Sequence, residues 1–212
     1  LWVETWTIDD INSVNFGVVI SANGSGCVTN YTTYYLKATN FGFSVPAGST
    51  INGITVEIKK KNRSAIGNNY YADIDHIRIT VDYTAPATRY WINNTSGNWN
   101  DTANWSATSG GAGGTSVPVA GDTAIFDNAG GTHNGALTLN TNVNVATLTF
   151  DTNYTGAITQ GANTINATTA MSLTGQSLTA GAAITASGAL TIASGKTLDM
   201  AGNNLTVTST FS

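Results

Sequence analysis

The C-terminal third of the chain has a hydrophobic pattern of short strands separated by Gly-, Asn- and Ser-rich turns. Four triplets carry an apolar residue on each side of a threonine: Leu137-Thr138-Leu139, Leu148-Thr149-Phe150, Leu190-Thr191-Ile192 and Leu205-Thr206-Val207. Because side chains alternate across a strand, each triplet directs two apolar residues to one face and its threonine to the other. Single apolar positions fall between the triplets: Ile158, Ile165, Leu173, Leu178, Ile184 and Leu198.

The spacing of these apolar positions predicts a β-solenoid over residues 127–212. They recur roughly every six to eight residues, so about three of them fit into the twenty or so residues of one coil. Stacked coils would also place equivalent Asn and Thr side chains about 4.8 Å apart, close enough to hydrogen-bond along the stack. No capping pattern follows the last triplet, so we expect the stack to continue or to meet a partner.

Residues 1–84 have longer strands and most of the charges, which predicts a separate domain. Between Ile51 and Ile58 the apolar residues Ile54, Val56 and Ile58 share one face, and Pro46-Ala47-Gly48 forms a turn. The segment Ile74–Tyr83 alternates, with these residues pointing inward: Ile77, Ile79, Val81 and Tyr83. Strands with one polar face predict a two-sheet, jelly-roll-like β-sandwich.

Two shorter segments complete the predicted organisation. Thr7–Asn12 is the one helical turn, with Thr7 as its N-cap. Residues 85–126 follow the sandwich as a linker and a Trp-rich cap of the solenoid, containing Trp91, Trp99 and Trp105. The predicted fold class is therefore all-β throughout.

The composition agrees with an uncharged all-β chain. Charged residues make up 9% of the sequence, against about 25% in an ordinary soluble protein. The net charge is −4 and no basic stripe follows any predicted element, which argues against nucleic acid as a partner. The basic run Lys59–Lys61 with Arg63 is interpreted as a solvated strand end, the alternative being an anion or polysaccharide contact.

Other sequence features bear on localisation. Cys27 is the only cysteine, so it allows neither an internal disulfide nor a thiolate metal site. No apolar run reaches the length needed to span a bilayer. The chain begins at Leu1 with neither Met nor a signal peptide, so we expect it to be a processed or excised piece. Low charge with abundant Thr and Asn is typical of secreted surface proteins, so we expect an extracellular location.

The region after the linker resembles a bacterial family. The motif elements are Trp91, Gly97-Asn98-Trp99, Asn104-Trp105-Ser106, Pro118, Gly121-Asp122-x-Ala124-x-Phe126, Val145–Phe150 and Gly188–Leu198. They are similar to the opening and the coils of autotransporter-like, right-handed parallel β-helix surface proteins of bacteria. The resemblance covers about residues 89–212 and implies a right-handed β-helix at the cell surface, without a catalytic motif.

The front segment resembles a β-sandwich module of large extracellular bacterial and phage-associated proteins. The matching stretches are Leu1–Thr7, Asp10–Asn12, Phe16–Val18, Phe41–Gly48, Ile51–Ile58 and Ile74–Tyr83. In that module the Pro-Ala-Gly stretch precedes the Leu-Trp stretch, whereas in this chain it follows. The resemblance thus implies an incomplete sandwich, for which a neighbouring subunit would supply a missing strand.

The titratable residues do not form a recognisable catalytic constellation. His76 lies on a polar strand face between Asp75 and Arg78, and His133 is isolated. A Ser-His-Asp triad also needs an oxyanion hole, and glycoside hydrolysis needs two carboxyl groups across a cleft. The acids of the solenoid are sparse: Asp122, Asp127, Asp151 and Asp199. We therefore predict no enzyme and no cofactor.

The alternative to the prediction of no cofactor is that the chain binds calcium. Its candidate ligands are Asp9, Asp10, Asp73 and Asp75 together with loop carbonyl oxygens. The Asp-x-Asp-x-Asp-Gly loop is missing, so solvated strand ends are the preferred interpretation of these acids.

The tryptophans are the main candidate site residues. Trp91, Trp99 and Trp105 precede the first predicted coil, and flat aromatic rings in such a cluster stack well on sugars. The preferred alternative is a plug, because the end of a solenoid exposes strand edges and apolar side chains that must be covered. Trp2 and Trp6 are predicted to lie in the sandwich core or an interface.

Three functions follow from these observations. The first is a structural subunit of a bacterial surface filament, fibre or layer that associates with copies of itself through strand edges and solenoid ends. The second is a glycan-binding adhesin module, with surface glycans as partners. The third is a carbohydrate-active enzyme on a β-helix, such as a phage tail spike, which the shortage of acid and base residues disfavours.

Overall fold

The computed structural model describes residues 5–20, 36–62 and 72–209. The chain divides into two compact units, Leu1–Thr84 and Ala85–Ser212. Nearly all regular structure is β, with antiparallel sheets in the first unit and a β-solenoid in the second, as the hydrophobic pattern predicts. Cys27 and Arg63 lie outside the described residues.

The first unit contains one short helix and two antiparallel strand pairs. Its elements are α1 (Ile8–Asn12), β1 (Gly17–Ile20), β2 (Leu36–Thr39), β3 (Thr50–Asn62) and β4 (Ala72–Thr84). Strand β1 pairs with β2, and β3 pairs with β4 over almost its whole length. The described part of this unit thus has four strands, half of the eight in a complete jelly roll.

The predicted helical turn and its cap are confirmed. The Thr7 hydroxyl accepts a hydrogen bond from the Asp10 backbone N–H at 3.2 Å, and the Asp10 carboxylate accepts from the Thr7 backbone N–H at 3.0 Å. This reciprocal capping box satisfies two of the N–H groups that a helix start leaves without partners. The amide of Asn12 then bonds the backbone of Val45 in both directions, at 2.8 and 2.9 Å.

The core of this unit is small and lies at one end of the β3–β4 ribbon. Its buried members are Ile11, Phe16, Val45 and Ile79. Val45 belongs to this core and Phe41 and Phe43 pack against it, although Phe41–Val45 forms no strand. The turn at Pro46 is confirmed, with Ser49 N–H bonding the Pro46 carbonyl at 3.2 Å.

The apolar face of the ribbon is only partly covered. Cross-strand partners share this face as the alternation predicts: Ile54 with Val81, Val56 with Ile79, and Ile58 with Ile77. Three residues on this face are exposed, including Tyr83, which the alternation predicts to point inward: Val56 by 39%, Ile58 by 40% and Tyr83 by 39%. Alternation identifies the apolar face of a strand, but it carries no information on whether another layer covers that face.

The second unit is a β-solenoid of about four turns. Its strands are β5 (Thr88–Trp91), β6 (Ser96–Asn98), β7 (Trp105–Ser106), β8 (Thr123–Phe126), β9 (Ala136–Thr138), β10 (Val143–Phe150), β11 (Ile158–Thr159), β12 (Ile165–Leu173), β13 (Leu178–Thr179), β14 (Ile184–Ala186), β15 (Ala189–Ile192), β16 (Leu198–Asp199) and β17 (Leu205–Val207). Short 3-10 helices span Thr102–Asn104 and Ala129–Gly131.

Two rows of parallel strands form the walls of the solenoid. The main row runs β7-β5-β8-β10-β12-β14-β17, with β15 also pairing with β12. The second row contains β6-β9-β11 and, further along the stack, β13-β16. All pairs are parallel except β5 with β7. Every apolar position that the sequence pattern marked lies on one of these strands or, for Leu139, directly after one.

Equivalent residues stack from coil to coil. One interior column consists of Val143, Ile165, Ile184 and Leu205, so a coil takes about twenty residues, as predicted. A second interior column consists of Phe126, Phe150, Leu173 and Ile192. The predicted polar ladder is present on the outside, where the Asn166 amide donates to the Asn144 side-chain oxygen at 3.1 Å.

The parallel pairing starts earlier than residue 127. Strand β5 pairs with β8 in parallel, from Thr88 opposite Thr123 to Tyr90 opposite Ile125. Residues 85–126, which we predicted to be a linker and a cap, therefore provide the first strands of the stack.

Candidate functional site: the two ends of the solenoid

Three indole rings pack together where the stack begins. Trp91 at the end of β5 lies opposite Trp105 at the start of β7. The centroids of these two rings are 5.4 Å apart with planes at 77°, and Trp99 meets Trp105 at 4.9 Å and 71°. Such edge-to-face contacts place the positive edge of one ring against the negative face of the next.

The polar atoms of these indoles are satisfied inside the protein. The Trp105 Nε1–H donates to the Trp99 carbonyl at 2.7 Å, and the Trp91 Nε1–H donates to the Gly135 carbonyl at 3.2 Å. Trp91 and Trp105 are 0% exposed and Trp99 is 2% exposed. Stacking on a sugar requires an open ring face, and these three rings have none.

An aromatic column continues from the indoles into the stack. Phe126 packs against Trp91 at 5.3 Å and against Phe150 at 4.6 Å. Tyr154 lies beside Phe126 at 5.1 Å, and its hydroxyl donates to the Gly135 carbonyl at 2.8 Å. Burial raises the pKa of Tyr154, since the phenolate form would lose its hydration. The Gly135 carbonyl thus accepts hydrogen bonds from both Trp91 and Tyr154, which belong to different coils.

An asparagine network, which the sequence analysis did not identify, supports the indoles. The Asn93 amide donates to the Asn104 side-chain oxygen at 2.7 Å, and the Asn104 amide donates to the Asn98 carbonyl at 2.9 Å. Asn104 is buried, and a Cβ at Gly97 would lie 2.4 Å from its amide nitrogen. The available signal was the motif Gly97-Asn98-Trp99…Asn104-Trp105, in which every polar residue and the glycine belong to this network.

A buried carboxylate fastens the loop before β8. The two oxygens of Asp122 accept from the Ala87 N–H at 2.8 Å and the Val119 N–H at 3.1 Å. The Asp122 carbonyl also accepts from Ala146 N–H of the next coil at 2.8 Å. Because each of these three hydrogen bonds is donated by a backbone N–H, we assign this acid a structural role.

The first edge of the main row is closed by its own chain. Strand β7 pairs with β5 in the antiparallel direction at Tyr90 and Trp91, so it ends the parallel ladder. The 3-10 helix Thr102–Asn104 precedes β7 and brings Asn104 to the Asn98 carbonyl of β6. The indoles are thus placed between a closing strand and the first coil.

The last edge of the main row differs sharply. Among the described residues, β17 pairs with β14 and with no strand on its other side. Leu205 is 38% exposed, whereas its equivalents Val143, Ile165 and Ile184 are 2%, 1% and 0% exposed. Among the described members of this interior column, Leu205 is therefore the least covered.

The other two tryptophans belong to the first unit. Trp2 lies outside the described residues. Trp6 is half-buried and packs edge-to-face on Phe16 at 5.5 Å. It lines a groove of about 620 Å³ together with these apolar residues: Phe16, Val18, Ile51, Ile54, Val56 and Ile79.

The candidate catalytic and calcium-binding residues are dispersed. Within the described ranges no three His, Cys, Asp or Glu side chains come together. The Asp10 carboxylate bonds Thr7, and Asp75 lies 3.3 Å from the His76 ring and 3.7 Å from Lys59 Nζ. Asp9 is exposed in α1, and Asp73 is placed opposite Lys61 in the β3–β4 ladder.

Of the helices described, none is long and apolar enough to cross a membrane.

No protein-family model, curated protein or solved structure matches this chain.

Proposed function

We propose that the chain is a non-enzymatic structural subunit of a bacterial surface filament, fibre or layer, of the autotransporter-like β-helix type, that associates with copies of itself. The observation that carries this proposal is the stack of parallel strands itself, in which one interior column, Val143, Ile165, Ile184 and Leu205, repeats about every twenty residues. Stacked repeats of this kind contact mainly their immediate neighbours and form extended structures.

The use of polar residues along the stack supports the same proposal. Asn104, Asp122 and Tyr154 direct their hydrogen bonds to neighbouring coils and loops. The Lys196 ammonium donates to the Gly175 carbonyl at 2.6 Å, across successive coils. These polar side chains thus bond neighbouring parts of the stack to one another, which supports a structural role.

Sedimentation velocity and negative-stain electron microscopy of the full chain test this function. We expect species larger than the monomer that grow with protein concentration. A chain that stays monomeric up to millimolar concentration would contradict the proposal.

A glycan-binding adhesin module is the second candidate, and the groove beside Trp6 favours it. That groove combines an aromatic ring with apolar walls, a common setting for sugar rings. A glycan array tests it: binding by the native chain should be lost in Trp6→Ala. The matched control is Tyr83→Ala, an exposed aromatic outside the residues that line the groove.

A further inference from the structure

Three asparagines of the chain are followed directly by glycine: Asn23, Asn52 and Asn134. In such a pair, the backbone nitrogen of the glycine can attack the side-chain carbonyl carbon of the asparagine, because glycine has no side chain that hinders the approach. Asn23 lies outside the described residues. The structure places Asn52 and Asn134 in opposite environments, so we expect them to differ in reactivity.

Hydrogen bonds hold both reacting groups of the pair Asn134-Gly135. The Asn134 amide donates to the Thr155 hydroxyl, and its side-chain oxygen accepts from the Thr155 N–H, both at 2.6 Å. The Gly135 N–H donates to the Asn93 carbonyl at 2.9 Å, and Gly135 is buried. Ring closure at this site therefore requires hydrogen bonds within the stack of coils to break first.

Asn52, by contrast, is the extra residue of a β-bulge in β3. Ile51 lies opposite Tyr83, and the next paired residue is Gly53, opposite Asp82. The ladder therefore skips Asn52, as it does at a bulge. Both Asn52 and Gly53 are exposed, and a Cβ at Gly53 would meet nothing within 4 Å. The surroundings of Gly53 thus leave room for the Asn52 side chain to turn toward the glycine nitrogen.

The restraints on Asn52 are also weaker than those on Asn134. Among the described residues, its amide makes one hydrogen bond, which it donates to the exposed Thr84 hydroxyl at 3.0 Å. Thr84 ends β4 and pairs with Thr50, which begins β3, so Asn52 lies close to the end of the ribbon. Because ladders open most readily at their ends, local opening at Asn52 costs little free energy.

We propose that Asn52 is a site of spontaneous deamidation, a covalent modification that goes beyond the proposed function. The Gly53 nitrogen bonds to the Asn52 side-chain carbonyl carbon, and the bond from that carbon to the amide nitrogen breaks. The amide nitrogen leaves as ammonia with the proton that Gly53 gives up, and the product is a succinimide ring. Water then opens the ring at either carbonyl group and gives isoaspartate or aspartate.

Deamidation of Asn52 adds a carboxylate to the wall of the groove beside Trp6, since Asn52 and Gly53 both line that groove. The cross-strand partner of Gly53 is the exposed acid Asp82, and like charges on paired strands repel each other. Isoaspartate also lengthens the backbone of β3 by one methylene group. The modification thus makes the groove more acidic and loosens this end of the ribbon.

Peptide mapping by mass spectrometry tests the proposal on the native full chain, sampled during storage in mildly alkaline buffer. We expect Asn52 to deamidate at least about tenfold faster than Asn134, since the two sites differ in the cost of local opening. In concentrated urea both are unstructured Asn-Gly pairs, so their rates should become similar. Electron-transfer fragmentation of the peptide that contains residue 52 distinguishes isoaspartate from aspartate.

Two variants separate the reaction from the fold. Gly53→Ala adds a methyl group in open space, so it should keep the native melting temperature while slowing deamidation about tenfold. Thr84→Val removes the hydrogen-bond acceptor of the Asn52 amide and should accelerate the reaction. The matched control is Thr80→Val, at another exposed threonine of β4, which should leave the rate unchanged.

Three results would overturn the proposal. The first is deamidation of Asn134 at the same rate as Asn52 in the folded chain. The second is an Asn52 that stays intact over the time in which the chain in urea reacts. The third is a Gly53→Ala chain that reacts as fast as the native chain, because ring closure through the Gly53 nitrogen would then not limit the rate. Each of these results would leave the proposed structural function untouched, since none of them depends on self-association.

Discussion

Phe126 and Phe150 occupy the same interior position in successive coils, with ring centroids 4.6 Å apart and planes inclined by 27°. Phe150 in turn lies opposite Leu173, its partner in the next coil. Phe150 therefore lies between the aromatic and the aliphatic parts of the core. Its substitution tests whether the coils of the stack unfold cooperatively.

Phe150→Ala should destabilise the second unit by about 3–5 kcal/mol, because it leaves a cavity between coils. Phe150→Asp should prevent stable folding of the stack, since it adds an uncompensated buried charge. Thermal unfolding followed by circular dichroism measures both. Leu36→Ala, at an exposed position, is the control and should change stability by less than about 0.5 kcal/mol. A Phe150→Asp chain with native thermal stability would mean that the interior register is wrong.

Asp122→Ala should lower the free energy of unfolding by about 2–3 kcal/mol, because it leaves the buried N–H groups of Ala87 and Val119 without acceptors. Asp122→Asn keeps one oxygen and should cost less. Urea unfolding of both variants gives the comparison. Asp82→Ala, an exposed acid on β4, serves as the control. Equal stability of Asp122→Ala and the native chain would remove the structural role assigned to this carboxylate.

Gly188→Ala should destabilise the stack by about 2–3 kcal/mol through crowding. A Cβ at this position would lie 1.6 Å from the Thr169 backbone carbonyl oxygen of the preceding coil. Gly53→Ala is the control, since a Cβ there meets nothing within 4 Å. Differential scanning calorimetry separates the two outcomes, and a tolerated Gly188→Ala would show that the corner between β14 and β15 can move away from β12.

The capping box of α1 should make stability depend on acid pH. Hydrogen bonds from the Thr7 hydroxyl and backbone N–H hold the pKa of Asp10 below its ordinary value of 3.8. A carboxyl group with a lowered folded-state pKa stabilises the fold at pH values above its unfolded pKa, and this contribution disappears as the pH falls through the folded pKa.

Asp10→Asn should therefore lower the melting temperature near neutral pH, with a difference from the native chain that shrinks between about pH 5 and pH 2. Asp9→Asn removes the neighbouring carboxyl group and controls for net charge. A difference that stays constant over this pH range would contradict the assigned role of Asp10.

The coils were predictable because their signal is local. A triplet such as Leu148-Thr149-Phe150 specifies its own alternation, and repetition at about twenty residues specifies the stack. The first strand of the stack carried no such signal. Arg89 occupies an inward position equivalent to Ala124 and Leu148, where a charge is not expected. Its guanidinium is satisfied by Ser116, through hydrogen bonds of 2.8 and 3.1 Å to side chain and backbone.

The polar contacts of the closed end were not predictable for a related reason. The bond from Ala87 to Asp122 joins residues 35 positions apart, and Asn93 meets Asn104 across 11 positions. No local propensity specifies such partners. The reverse failure occurred at Val56 and Ile58, whose face was predicted correctly but whose cover depends on other elements.

The coil-by-coil construction has a consequence for mechanical load. Each coil bonds only to its immediate neighbours, so a pulling force on the C-terminal side detaches one coil before it reaches the next. A detached coil of about twenty residues releases roughly 70 Å of extended chain. Under tension, the solenoid would therefore lengthen in discrete steps and absorb work at each step.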